Sequence, residues 1–262
     1  MRTVMYTLMT VLVLVTLVGC GGTEEAAAPT GYAPGQTVEA YDYVHGGYVG
    51  KAEVSATDDG SFEVTLDEAF LPHTLAVVDA EASDWNENNT VTYTSHGRQS
   101  HVAKYVVYND TTYVGTTFGT SVVWVEADEQ GNPAGNTSLE MAIIRNEETM
   151  RAYYNGIGNG AFQVLTGFDA TPQPVETTSY GSLYKRGSEY WAEGGHGLGW
   201  NVNIEAIQNT AQEAGVSYSF DEISKNNDDV WKVADTVSGA TASDFKEYFA
   251  LVQLAVSRLE RQ

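Results

Sequence analysis

Close to the C-terminal end, the run Asp235-Thr236-Val237-Ser238-Gly239-Ala240-Thr241 collects a carboxylate, several hydroxyls and small side chains. Ser238-Gly239-Ala240 leaves room for a bulky planar ligand to approach the backbone, and Gly239 can adopt a positive φ at no steric cost. Thr241 then offers a hydroxyl nucleophile on a reachable turn. After it, Phe245, Tyr248, Phe249, Val252, Ala255, Val256 and Leu259 recur at the three- and four-residue spacing of one buried helical face. The pattern predicts an amphipathic helix from about Thr241 or Ala242 to the C-terminus. Its first turn would set unpaired N–H groups and the positive end of the helix dipole beside Thr241, a setting that stabilises a phosphate diester. The same residues also make ordinary capping chemistry, with Thr241 or Ser243 as N-cap. Residue types alone leave both readings open.

The five letters D-x-x-S-G-A-T resemble the flavinylation site of the FMN-binding domain family, found in subunits of the Rnf complex, in the sodium-pumping NADH:quinone reductase and in extracytoplasmic electron-transfer lipoproteins. The resemblance implies FMN as cofactor, joined through a phosphoester to Thr241 by a separate flavin transferase. Asp235, Ser238, Gly239 and Ala240 would form the rest of the cofactor-binding motif. It also implies an electron carrier with a redox donor and acceptor as partners, rather than an enzyme with catalytic residues of its own. Gly47-Tyr48-Val49-Gly50, followed by Asp59-Gly60, resembles the opening of the same domain. Residues from about Ala80 to Trp200 carry little of the likeness.

The chain has 262 residues and a formal net charge of −22, from 13 Lys and Arg against 35 Asp and Glu. Such a surface repels nucleic acid and anionic lipid headgroups, which excludes a direct nucleic-acid role. Hydrophobic residues at 42% and aromatics at 11% provide for a folded core.

Cys20 is the one cysteine, and it closes an apolar run from Val4 to Val18. Leu17-Val18-Gly19-Cys20 fits a bacterial lipobox, which predicts a signal peptide over residues 1–19 and lipidation of Cys20. A membrane-spanning helix and an ordinary signal peptide are the alternatives, the first being short for a bilayer core. With Cys20 acylated, no thiol remains for a disulfide or a thiolate metal site. The expected location is the extracytoplasmic face of the cell membrane, with the lipid as the only attachment. Residues 20–40 show no periodicity and read as a flexible tether; residues 41–262 read as an FMN-binding domain with insertions.

The elements that must position the motif point to an α+β domain, an antiparallel sheet with packed helices and a C-terminal helix after the motif. Tyr48 to Ala56 and Ser61 to Leu66 alternate around Asp58-Asp59-Gly60 as a hairpin. A further antiparallel meander is predicted from Thr90 to Tyr93, Val102 to Tyr108, Thr112 to Thr117 and Ser121 to Val125, with Asn109-Asp110 as a turn. Thr137 onward can begin as a strand, whereas Glu147 to Tyr154 and Asn201 to Ala214 read as helices, the first stopped by Gly156 to Gly160 and the second closed by Gly215. Val216 to Phe220 alternates as a strand, and Val230 to Val233 leads into the motif. Between Gly181 and Trp200, aromatic residues surround Lys185, Arg186 and His196. That loop can cover a flavin or neutralise its phosphate, or be a surface loop with aromatic anchors.

Other constellations point nowhere specific. The histidines, His45, His73, His96, His101 and His196, show no metal-binding pair spacing, the acidic clusters lack a calcium-loop pattern, and no G-x-S-x-G elbow is present. Two other functions fit the same sequence: a non-redox surface lipoprotein acting as a binding or adhesion module, and a flavin-dependent small-molecule reductase.

Overall fold

The computed structural model describes residues 31–95, 98–194 and 198–262. Cys20, the signal segment, His96 and His196 lie outside those residues.

The chain folds as a mixed α+β structure built on antiparallel sheets. Strands β1 (Thr37–Val44), β2 (Tyr48–Ala56) and β3 (Phe62–Phe70) form a meander in sequence order. The β2–β3 hairpin turns at Gly60, φ +82°, where Asp59 Oδ1 accepts from the Ser61 N–H at 3.0 Å and from the Thr57 and Ser61 hydroxyls at 2.6 Å. Alternation along β2 turns Ala52, Val54 and Ala56 inward. Gly50 lets the C-terminal helix settle on this sheet: a Cβ there would lie 3.0 Å from Leu251 Cδ2 and 2.8 Å from Val44 Cγ2.

After a single turn, α1 (Pro72–Leu75), the chain builds a second sheet in the order β4-β6-β5, from β4 (Val77–Val78), β5 (Thr90–Ser95) and β6 (Arg98–Ala103). A third sheet follows with β7 (Tyr105–Tyr108), β8 (Thr111–Phe118), β9 (Ser121–Ala127) and β10 (Pro133–Ser138). Helices α2 (Leu139–Ile143) and α3 (Glu147–Ile157) come next, and β11 (Phe162–Leu165) and β12 (Gln173–Pro174) complete the third sheet in the order β10-β9-β8-β7-β11-β12. Asn109 and Asp110 make the β7–β8 turn with φ of +47° and +62°, the conformation a two-residue hairpin requires. Helix α4 (Gly199–Ala214) packs on β3. A small sheet of β13 (Ile223–Lys225), β14 (Trp231–Val233) and β15 (Thr236–Val237) then precedes α5 (Phe245–Val256), which lies across β1 and β2. One contiguous hydrophobic cluster joins these layers.

Several expectations need correction. Residues 31–40, expected as part of the tether, pack on the folded body instead: Tyr32 bridges to Arg261, its ring meets Phe62 edge-on, and β1 begins at Thr37. The predicted Val102–Tyr108 strand is two strands in different sheets: the N–H groups of Ala103 and Lys104 still bond to Ala76 and Asn89 beside β4 and β5, whereas from Tyr105 the chain pairs with β8 and β11. Val216 to Phe220 is not a strand. Gln253 Nε2 holds the carbonyls of Val216 and Tyr218 at 2.7 and 2.6 Å, and Ser219 with Glu222 caps a 3-10 turn over Phe220–Glu222. The C-terminal helix starts at Phe245, four residues after Thr241, and ends at Val256, although Leu259 stays buried beyond it.

Candidate functional site

The motif begins in a hairpin. Lys232 pairs with Val237 and Val233 with Thr236, so Ala234 and Asp235 form the tip, with Asp235 exposed. Ser238 then runs back along Trp231: its N–H and its hydroxyl both donate to the Trp231 carbonyl, at 2.9 and 2.7 Å, and its Oγ accepts from the Ala240 N–H at 3.0 Å. Trp231 N–H donates to the Ala240 carbonyl, and its indole N–H donates to that of Ala242. The Trp231 ring stacks on Phe245, centroids 5.5 Å apart. Hydrogen bonds to residues 238, 240 and 242 thus lay one edge of the motif against Trp231.

Gly239 sits at φ +77° with no atom within 4 Å of where a Cβ would stand, so the space above it is open. Ala240 and Ala242 are buried while Thr241 between them is exposed, the alternation of an extended segment on an apolar floor. Its backbone is held from the other side by Asn203 of α4. The buried Asn203 Oδ1 accepts from Thr241 N–H at 2.7 Å and from Ala242 N–H at 2.9 Å, with the Thr241 hydroxyl at 3.4 Å. Asn203 Nδ2 in turn donates to the Gly199 carbonyl at 2.7 Å, which orients the carboxamide.

These contacts bring Ser238, Gly239, Ala240 and Thr241 into one tight turn and leave Asp235 at the opposite end of the hairpin. They also correct the anion-site expectation. With α5 starting at Phe245, Thr241 lies outside its first turn, and the N–H groups of residues 241 and 242 already serve Asn203. Neither Thr241 nor Ser243 is the cap: Asp244 occupies that position, its carboxylate paired with His45 Nδ1.

Asn203 and Trp231 were not singled out from the sequence. Asn203 did leave a trace, as a polar residue on the face of α4 that also carries Trp200, Ile204 and Ile207.

Of the paired cations of the aromatic loop, Lys185 faces inward, while Arg186 stays exposed and bonds along the surface. Lys185 Nζ lies 2.5 Å from Glu68 Oε2 with both side chains fully buried, and 3.4 Å over the Tyr48 ring. Tyr248 of α5 donates to Glu68 Oε1 at 2.6 Å. Burial pulls the Lys185 ammonium below its ordinary pKa and pushes the Glu68 carboxyl above its own; the attraction between the two opposes both shifts. Arg186 is spent on the Leu66 carbonyl and on Gln208 Oε1, at 2.7 and 2.8 Å. The loop is anchored to the core by these residues, and Lys185 cannot reach a phosphate at the surface.

Among the described residues no group of three His, Cys, Asp or Glu side chains is placed to hold a metal ion, and no helix is long and apolar enough to cross a membrane. The chain matches no family model, no curated protein and no solved structure.

Proposed function

We propose that the chain is a lipid-anchored extracytoplasmic flavoprotein that carries FMN through a phosphoester on Thr241. It would pass electrons between a membrane-side donor and an external acceptor, with Cys20 as the lipid attachment. The observation that carries this reading is the presentation of Thr241: an exposed hydroxyl in a D-x-x-S-G-A-T turn, pinned by Asn203 on one side and Trp231 on the other.

The residues present fit such a group. A modifying enzyme needs a hydroxyl it can reach, and Thr241 is exposed with buried alanines on each side. A planar ring attached there needs room over the backbone, and Gly239 leaves it open. FMN, when bound, supplies reversible electron transfer. The protein's own part is positional: Asn203 and Ser238 stiffen the turn, which lowers the entropy lost when a ligand is fixed against it. Covalent attachment suits an extracytoplasmic carrier, which would otherwise lose a dissociated cofactor.

The test is co-expression with a flavin transferase, followed by fluorescence in a denaturing gel and intact mass. Wild type is expected to fluoresce and gain the mass of one FMN less water. Thr241→Ser should retain the label because it retains a hydroxyl, and Thr241→Ala should lose it. An unlabelled wild type, beside a control protein that the same transferase labels, would overturn the reading and favour a non-redox binding module.

A further inference from the structure

The backbone brings Glu68 and Lys185 together before their side chains meet. Ala69 bridges to Tyr184 in the antiparallel sense and the Lys185 N–H donates to the Glu68 carbonyl at 2.8 Å, so the two residues stand opposite each other on adjacent extended segments. Side chains placed this way are nearest neighbours on one face of a ladder. Their ends touch, Nζ lying 2.5 Å from Oε2, and neither side chain reaches solvent. Oε2 is one C–O bond, about 1.2 Å, from Cδ. Nζ therefore stands within about 3.7 Å of that carbon, close to the roughly 3–3.5 Å of a near-attack geometry.

The shell around the contact suits neutral groups better than charged ones. Beyond Oε2, Nζ is surrounded by rings, with the centroids of Tyr48 at 3.4 Å, Tyr190 at 5.0 Å and Trp200 at 5.9 Å. Their faces attract an ammonium but do not replace the hydration it gives up on burial. Burial moves both groups toward their uncharged forms, even against their mutual attraction. On the far side, Tyr248 donates to Oε1 at 2.6 Å, where negative charge would gather if Cδ were attacked. Tyr48 and Tyr190 are two of five tyrosines lining an open cleft of about 1030 Å³, which gives a released water a way out.

We propose that Glu68 and Lys185 condense to an internal isopeptide bond, with Tyr248 as the catalytic hydrogen-bond donor. A proton passes from Nζ to Oε2, leaving a neutral amine and a neutral acid. The Nζ lone pair attacks Cδ, and the charge that develops on Oε1 is held by the Tyr248 hydroxyl. The Cδ–Oε2 bond then breaks, and Oε2 departs as water with the carboxyl proton and one proton from the nitrogen. No oxidant or co-reactant is consumed. The link ties the loop after Gly181 to β3 in a chain whose single cysteine excludes an internal disulfide. Before condensation the two groups are a buried ion pair, and stability comparisons among unlinked chains report that pair alone. Nothing in the reaction depends on Thr241 carrying a flavin.

The test reads denatured chains, so a variant that folds poorly does not obscure it. The full chain is unfolded, digested with chymotrypsin and analysed by tandem mass spectrometry. Wild type should yield a branched peptide joining the segment of Glu68 to that of Lys185, lighter than the two linear peptides by one water, and Lys185 should resist acetylation in the unfolded chain. Lys185→Arg keeps the charge but cannot form the amide, so it should give linear peptides and migrate more slowly than wild type in a denaturing gel. Tyr248→Phe keeps the ring without the donor, and in a time course after synthesis its folded fraction should link at least about tenfold more slowly. Linear peptides with an acetylated Lys185 from folded wild type would overturn the proposal, as would a branch at another residue or co-migration of wild type with Lys185→Arg. Equal rates in wild type and Tyr248→Phe would overturn the role given to Tyr248.

Discussion

The carboxamide oxygen of Asn203 lies 2.7 Å from the backbone nitrogen of Thr241, 38 positions further along the chain, and 2.9 Å from that of Ala242. One buried side chain therefore fixes the turn that displays the Thr241 hydroxyl. Asn203→Leu keeps the helix and the volume but removes the acceptor, leaving two donors without a partner, one of them buried. The expected loss is about 1–3 kcal/mol of stability, read from urea denaturation midpoints. Labelling of Thr241 should fall in the same variant at temperatures where it remains folded. Unchanged labelling would show that the turn keeps its shape without Asn203.

Gly239 tests conformation alone. At φ +77° with empty space where a Cβ would stand, Gly239→Ala meets no atom and pays only the left-handed backbone penalty, about 1–2 kcal/mol. Gly239→Asn should cost less, since asparagine tolerates that region. Thermal melts of the two variants should keep this order; the reverse order would mean that the turn relaxes to negative φ.

Glu140 predicts a pH dependence. Burial pushes its carboxyl up to about 7 from 4.5, and the Ser138 hydroxyl and nearby backbone N–H groups offset the burial only in part. In the unfolded chain the group ionises near its ordinary value, so stability falls as pH rises from about 4.5 to 7 and stays lower above. Glu140→Gln removes this loss. Its advantage over wild type should be absent near pH 4 and reach up to about 3 kcal/mol by pH 8. Parallel stability curves for the two proteins across that range would refute the assignment.

The Glu68 and Lys185 pair should show the asymmetry of buried ion pairs. Lys185→Met strands a carboxylate that has no exposure to solvent and should cost about 3–5 kcal/mol. Adding Glu68→Gln to it should recover most of that loss, because the glutamine oxygen can still accept from Tyr248. A double-mutant cycle in guanidinium measures the difference. Additive losses would show that the two groups act independently.

Much of the local structure was legible in the chain. Alternation on both sides of Asp58-Asp59-Gly60 marked the β2–β3 hairpin, Asn109-Asp110 marked the β7–β8 turn, and every apolar position assigned to the face of the C-terminal helix is buried. Where reading failed, a distant partner had intervened. Val216 to Phe220 alternates like a strand but has its carbonyls taken by Gln253. Val102 to Tyr108 has the β propensity of one strand, yet its partners change from β4 and β5 to β8 and β11 at Tyr105, which divides it between two sheets. Periodicity records which residues prefer burial; it does not say which neighbour satisfies the backbone.

The sequence by itself determined the chemistry on offer: a threonine after three small residues, a run of aromatics, an acidic surface and the apolar face of the last helix. Only the tertiary structure decided how those groups are used. It moved the start of α5 four residues past Thr241, gave the N–H groups of residues 241 and 242 to Asn203, turned Lys185 inward onto Glu68, and gathered five tyrosines around a cleft distant from the motif in sequence. The physical reason is the range of the interactions. Turn conformation and amphipathic spacing act between near neighbours and are written into short stretches. Hydrogen-bond satisfaction and charge pairing in the interior are settled between residues that meet only when the sheets and helices pack.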